Sequence, residues 1–149
     1  IMPSLVGSEM CIRDRCMVKN KDQVLVLDRN DPVWPGLTFP GGHVEAHESF
    51  HDSVVREVKE ETGLTISHPQ LVGVKQFYDH NDERYLVFFY IAEQFSGTVK
   101  ESDEGKLTWM SAKELKKQKL AYNFDHDLPV FFEQTISEHM LDGKRDELF

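Results

Sequence analysis

From residue 16 onward, the apolar and polar positions sort into short strand-type runs around one well-formed helical run. Residues 23–28 (QVLVLD), 71–78 and 85–92 (YLVFFYIA) are rich in branched and aromatic residues and read as strands. Residues 16–18, 37–39, 43–45, 64–66 and 107–110 read as shorter strands or strand ends, separated by turn residues. The helical run is marked by Phe50, Val54 and Val58 at four-residue spacing, which makes one apolar stripe. Ser49 with Asp52 three positions on has the form of an N-cap and capping box, and Gly63 stands where a left-handed C-terminal residue belongs. Ser111 with Glu114 caps a short helix ending near Lys117. A further helix is expected over residues 128–141, with Val130, Phe131, Ile136 and Met140 on its apolar side and a frayed polar tail at 142–149. Strands, helix, strands, helix is an α+β order: a mixed β-sheet sandwiched between helices.

Residues 1–15 show neither a strand alternation nor a helix period. They are expected to be foreign to the domain or disordered, which leaves residues 16–149 as a single domain. A chain of 149 residues suffices for one core and is short for two. The net charge of −9 leaves no basic excess to neutralise a phosphate backbone, so no nucleic-acid polymer is expected as partner. Cys11 and Cys16 form no C-x-x-C motif, which argues against a disulfide scaffold and fits a reducing, cytoplasmic setting. No run of about 18 apolar residues is present, so no membrane partner is expected.

Glu57, Glu60 and Glu61 make a second stripe on the central helix, within roughly a 100° arc. Carboxylates that close repel one another unless a cation sits among them, and oxygen ligands of this kind suit Mg²⁺ or Mn²⁺. The competing reading is a solvated acidic face. The wider spacing weighs against it. Gly42, Glu48, Arg56, Glu57, Val58, Glu60, Glu61, Gly63 and Leu64 fit the pattern G-x5-E-x7-R-E-U-x-E-E-x-G-U, with U aliphatic. Its seven fixed identities match by chance on the order of once in 10⁸ to 10⁹ start positions. This is the Nudix box, and the chain resembles a Nudix hydrolase of the MutT type, a group often described as 8-oxo-dGTP diphosphatases.

That resemblance implies a Nudix α/β/α sandwich and Mg²⁺-dependent hydrolysis of a nucleoside triphosphate, with 8-oxo-dGTP as the candidate, to a nucleoside monophosphate and pyrophosphate. ADP-ribose, a dinucleoside polyphosphate or a nucleotide sugar is the alternative substrate; a non-catalytic nucleotide-sensing module is the alternative of another class. Carried onto this sequence, Glu57, Glu60 and Glu61 would hold metal with the Gly41 carbonyl, Glu57 would double as general base, Arg56 would orient the carboxylates and Glu48 would support them. Glu104 is the choice for an added acidic ligand or base from a later loop, with Glu101 and Asp103 competing and an exposed loop carboxylate as the plain alternative. For the substrate, Phe39 is placed to pack on a purine, and Asn123 falls where MutT-like proteins have an asparagine able to pair with an 8-oxopurine, although the plain turn asparagine is the slightly favoured reading. Arg29 and Arg84 are candidates for phosphate contact. Trp34, Phe77, Tyr78 and Tyr85 are either pocket or core. His43, His47 and His51 do not read as zinc ligands, since only His51 lies firmly in the helix. His47 stands just before Glu48, where many family members have glycine; a side chain there is strained if the backbone needs positive φ. The chain is expected to act as a monomer or homodimer.

Overall fold

The computed structural model describes residues 10–149. An antiparallel hairpin opens it, β1 (Cys11–Asn20) and β2 (Gln23–Arg29), followed by β3 (Gly36–Thr38) and helix α1 (Phe50–Thr62). Strands β4 (Thr65–Ser67), β5 (Gln70–Tyr78), β6 (Arg84–Ala92), β7 (Gln94–Ser96) and β8 (Gly105–Ser111) come next. The chain closes with α2 (Ala112–Leu115), α3 (Phe124–Phe132), β9 (Glu138–Leu141) and β10 (Asp146–Leu148). The main sheet runs β10-β9-β5-β6-β1-β2-β3, with β8 on β2, and is mixed: β1 lies parallel to β6 and β9 parallel to β5, and the other pairs are antiparallel. Strands β4 and β7 pair separately.

Strict alternation along the central strands builds two cores. Met17, Val24, Val26, Val87 and Phe89 face one side, where they pack with Phe124, Leu128 and Phe131 of α3. Cys16, Val18, Leu25, Tyr90 and Ala92 face the other, where they pack with Val54 and Val58 of α1. Each face of the sheet is thus covered by helix, which is the expected sandwich. Emptying such a position, for instance Phe89→Ala, costs about 3–5 kcal/mol.

Two expectations are corrected. Strand β1 starts at Cys11, so the domain boundary drawn at residue 16 is too late for residues 11–15; the rest of that expectation, residues 1–9, lies outside the described residues. The helix expected at 128–141 is instead α3, starting at Phe124, followed by strand β9, and the tail expected to fray supplies β10, paired with β9. Pro129 sits inside α3, in its second turn, so the helix starts earlier than the apolar side at 130–140 indicates. Glu138–Leu141 form a strand because β5 offers an edge at Val74–Phe77 that they complete.

Candidate active site

Helix α1 is set by its caps. Ser49 Oγ accepts from the Asp52 amide (3.0 Å), and Gly63, at φ 80°, closes the other end on the Lys59 carbonyl. The Asp52 carboxylate turns to His51. With Val54 and Val58 docked on the sheet, the glutamates project toward the loop at residues 40–45.

That loop lies against β1, with the Pro40 and Gly42 carbonyls accepting from Cys16 and Asp14. The glycine pair is required by contact with the protein itself. A Cβ on Gly41 would meet the Asp14 carbonyl oxygen at 2.0 Å, and one on Gly42 would meet the Glu57 carboxylate at 2.4 Å. Gly41 donates its amide to Glu61 Oε2 (2.9 Å), and its carbonyl is outside the ladder with β1. Gly42 donates to Asp14 Oδ1 (3.1 Å), whose Oδ2 takes the Ser53 hydroxyl (2.6 Å).

Arg56 is the hub of the acidic cluster. Its guanidinium makes a two-point contact with Glu48 (2.8 and 3.0 Å), reaches Glu57 (2.9 Å) and Glu60 (3.3 Å), and donates to the His43 carbonyl (2.9 Å). Arg56 thus lies between Glu48 on one side and Glu57 and Glu60 on the other. Hydrogen bonds from Arg56 hold the Glu48 carboxyl down at about 2. The three stripe glutamates differ in burial: Glu61 is 6% exposed, the Glu57 side chain 13% and that of Glu60 59%. Burial pushes the Glu61 carboxyl up to about 7, with the charges of Glu57 and Glu104 adding to it against Gly41 and Arg15. Burial raises Glu57 as well, against the pull of Arg56. Two desolvated carboxylates, both shifted upward by burial, facing a glycine loop form an all-oxygen donor set short of positive charge, and that set fits a hard divalent cation.

Of the three loop acids, Glu104 is the one whose charge bears on Glu61. Glu101 accepts from the Leu107 amide, and Asp103 offers its carbonyl to Asn30. His43, His47 and His51 do not gather: His43 bridges to Arg13, and His51 pairs with Asp52.

On the opposite face of β1 lies a cavity of about 460 Å³. Arg13, Arg15, Arg29 and Lys75 supply its cations, and Trp34, Phe77 and Tyr85 its aromatic wall. Arg15 joins the two regions, lining the cavity while its charge acts on Glu61. Arg29 is fixed against Asp31 (2.9 Å) and over the Trp34 ring (4.9 Å). Asn123 is on the cavity wall, at φ 66°, with Oδ1 accepting from Lys75 Nζ (2.9 Å) and Nδ2 donating to Asp146 (3.1 Å). Phe39 is a correction: it is fully buried between Phe124 and Phe131, ring centroids 4.9 Å away in each case, where a purine has no access. Tyr78 and Arg84 pair with each other away from the cavity lining. Asp14, Arg15, Ser53 and Lys75 are site residues that sequence reasoning missed. Ser53 fills an unspecified position of the box, and the others show their burial only in the fold.

A model of the NUDIX domain matches residues 13–130. This chain belongs to the Nudix family. It is 37% identical over 118 residues to the uncharacterized Nudix hydrolase YvcI of Bacillus subtilis, covering 76% of this chain and 73% of that one. The ADP-ribose pyrophosphatase of Methanocaldococcus jannaschii is 32% identical over 94 residues, 62% of this chain and 56% of its own. The 8-oxo-dGTP diphosphatase of Escherichia coli is 38% identical over 77 residues, 50% and 57%. Among solved structures, the MutT protein of Bacillus halodurans superposes with a TM-score of 0.73 at 29% identity, over 93% of this chain and 94% of that one. The Nudix chain is therefore a hydrolase, a pyrophosphohydrolase by class, of a family that uses divalent cations and acts on nucleotides.

Proposed function

We propose that this Nudix hydrolase cleaves a nucleoside triphosphate, with 8-oxo-dGTP as the candidate, to a nucleoside monophosphate and pyrophosphate in the presence of Mg²⁺, with Mn²⁺ as a substitute. The observation that carries the proposal is the pair of desolvated carboxylates, Glu57 and Glu61, set against Gly41–Gly42 and joined through Arg15 to a cationic, aromatic-walled cavity. Glu57, Glu60, Glu61 and the Gly41 carbonyl would hold the metal, with Glu104 as the added ligand or base. The bound metal neutralises phosphate charge and lowers the pKa of attacking water. Arg56 keeps Glu57 and Glu60 aimed and Glu48 keeps Arg56 aimed; Glu57 would double as general base, and Glu61, raised by burial in the metal-free protein, would release its proton when the cation binds. Arg29 would contact phosphate from the cavity rim, held there over the Trp34 ring.

A second reading is ADP-ribose hydrolysis. It is favoured by the Methanocaldococcus jannaschii relative and by the engagement of both ends of the Asn123 amide, which must exchange partners before it can read a purine. The test is a side-by-side assay of 8-oxo-dGTP, dGTP, ADP-ribose and a dinucleoside polyphosphate with Mg²⁺, with Glu57→Gln as control. Pyrophosphate from 8-oxo-dGTP well above that from dGTP, lost in the control, is the expected result. Preferential release of AMP from ADP-ribose would replace the substrate and keep the chemistry.

A further inference from the structure

A second cluster lies where the β9–β10 hairpin meets the start of α3, apart from the glutamates of α1. His139 is fully buried, with Nδ1 2.7 Å from Asp127 Oδ1 and Nε2 2.7 Å from Asp146 Oδ1. The other oxygen of Asp146 faces His126 Nδ1, also at 2.7 Å. Asp127 Oδ1 in addition takes the Lys75 ammonium at 2.9 Å. Among the described residues, His126, His139 and Asp146 form the one group of three whose donor atoms converge, all within 4.8 Å of one another.

The hydrogen-bond inventory of this cluster does not close with neutral groups. Asp127, paired with Lys75, is an acceptor, so His139 Nδ1 carries a hydrogen. A neutral His139 then aims its Nε2 lone pair at a carboxylate oxygen 2.7 Å away, so a cation is required there. At that spacing it is a proton; a metal ion takes its place once the partly exposed Asp146 carboxylate swings out to leave bonds of about 2 Å to each donor. The surroundings favour the metal. Asp127 holds His139 as an outer carboxylate holds a ligating imidazole, fixing its tautomer and leaving Nε2 free to ligate. A second imidazole and a carboxylate complete the set on the solvent side, where the half-exposed His126 can rotate to close the site.

We propose that His126 Nδ1, His139 Nε2 and the Asp146 carboxylate form a second metal centre, for a borderline divalent cation of the Zn²⁺ type, with Asp127 as its orienting partner. Two imidazoles and one carboxylate are a donor set suited to zinc and poorly suited to magnesium. The bound ion ties the C-terminal hairpin to the start of α3. It also sits beside Asn123, whose Nδ2 contacts Asp146 and whose Oδ1 holds Lys75 on the cavity wall, so its occupancy reaches the cavity through that amide. The three ligands leave a further position for water.

The test is titration of the metal-free full chain with Zn²⁺ against a chromophoric chelator, in excess Mg²⁺ to occupy the α1 carboxylates. One tight equivalent per chain is expected, retained in Glu57→Gln and lost in His126→Ala and Asp146→Asn. Asp127→Asn should weaken it by about 10- to 100-fold. Co²⁺ in place of Zn²⁺ should give visible absorption of low coordination number in the wild type and not in His126→Ala. Because His126 is half-exposed, its alanine variant leaves the core intact, and circular dichroism verifies this. Zinc binding equal in the wild type and His126→Ala, or lost in Glu57→Gln instead, overturns the proposal. So does a wild type that binds no zinc, which leaves a proton between His139 and Asp146.

Discussion

Glu61 Oε2 accepts a 2.9 Å hydrogen bond from the amide of Gly41, twenty residues earlier in the chain. The contact ties the last turns of α1 to the glycine loop and holds a carboxylate where little water reaches it. Burial therefore sets its titration, lifting it to about 7.

That shift makes the metal-free protein less stable as pH rises. Between the ordinary carboxyl value of 4.5 and about 7, the folded chain keeps a proton that the unfolded chain has released, so folding loses free energy across this window. At 1.36 kcal/mol per pH unit, the loss is roughly 3 kcal/mol. Glu61→Gln keeps an acceptor for Gly41 and removes the titration. Urea denaturation in chelator should show the variant gaining on the wild type from pH 4.5 to 7, with no further gain above. Added Mg²⁺ should then stabilise the wild type more than the variant. A difference that stays flat with pH would show that Glu61 is not desolvated.

The two loop glycines are predicted to fail in different ways. A Cβ at Gly41 strikes backbone, the Asp14 carbonyl oxygen at 2.0 Å, so Gly41→Ala must move the loop off β1 and should cost about 3 kcal/mol or more in denaturant unfolding. A Cβ at Gly42 strikes only the end of the Glu57 side chain, which can swing aside. Gly42→Ala should therefore fold near-normally and lose activity by about 10²-fold, because the carboxylate leaves its place. Equal thermal stability of the two variants would contradict this assignment.

How much could be read beforehand follows from where the determinants lie. The α1 stripe, its caps and the acidic cluster were legible because they are local: four-residue spacing, Ser49 and Gly63 act within one helix. Strand β1 was read too short because Arg13, Asp14 and Arg15 carry no apolar alternation; Asp14 is buried only because Ser53 and Gly42, far along the chain, satisfy it. The C-terminal strands carry no strand signature in the sequence for the same reason. His139 enters the interior on the strength of Asp127 and Asp146, and no periodicity announces such partners. Phe39 looked like a ligand residue from its place beside the glycine loop, and the packing of Phe124 and Phe131 decided otherwise.

Arg56 serves four groups with one planar fork, so its replacement by lysine is not conservative. A lysine ammonium can keep one of the contacts to Glu48, Glu57, Glu60 and the His43 carbonyl, but not the two-point grip on Glu48. Arg56→Lys should lower kcat by about 10²-fold through misplaced carboxylates, with a much smaller change in KM. A proportionate rise in KM with kcat unchanged would instead make Arg56 a substrate contact.

His47 precedes Glu48 at φ 64°, so the strain anticipated for a side chain at this position is present in the backbone. An L-residue in the left-handed region costs roughly 1–2 kcal/mol, and glycine is free of that cost. Against this, glycine loses more chain entropy on folding, by roughly 0.5–1 kcal/mol. His47 is exposed, so little contact is lost on its removal. The balance predicts that His47→Gly raises unfolding free energy by about 0.5 kcal/mol, whereas His47→Val, β-branched and poorly tolerated at positive φ, lowers it by about 1 kcal/mol or more. Because Glu48 follows directly and grips Arg56, the relaxed loop should leave kcat unchanged or slightly raised. Chemical denaturation of the two variants beside the wild type decides the point: a glycine variant less stable than the valine variant would mean that the loop does not hold the left-handed conformation in solution.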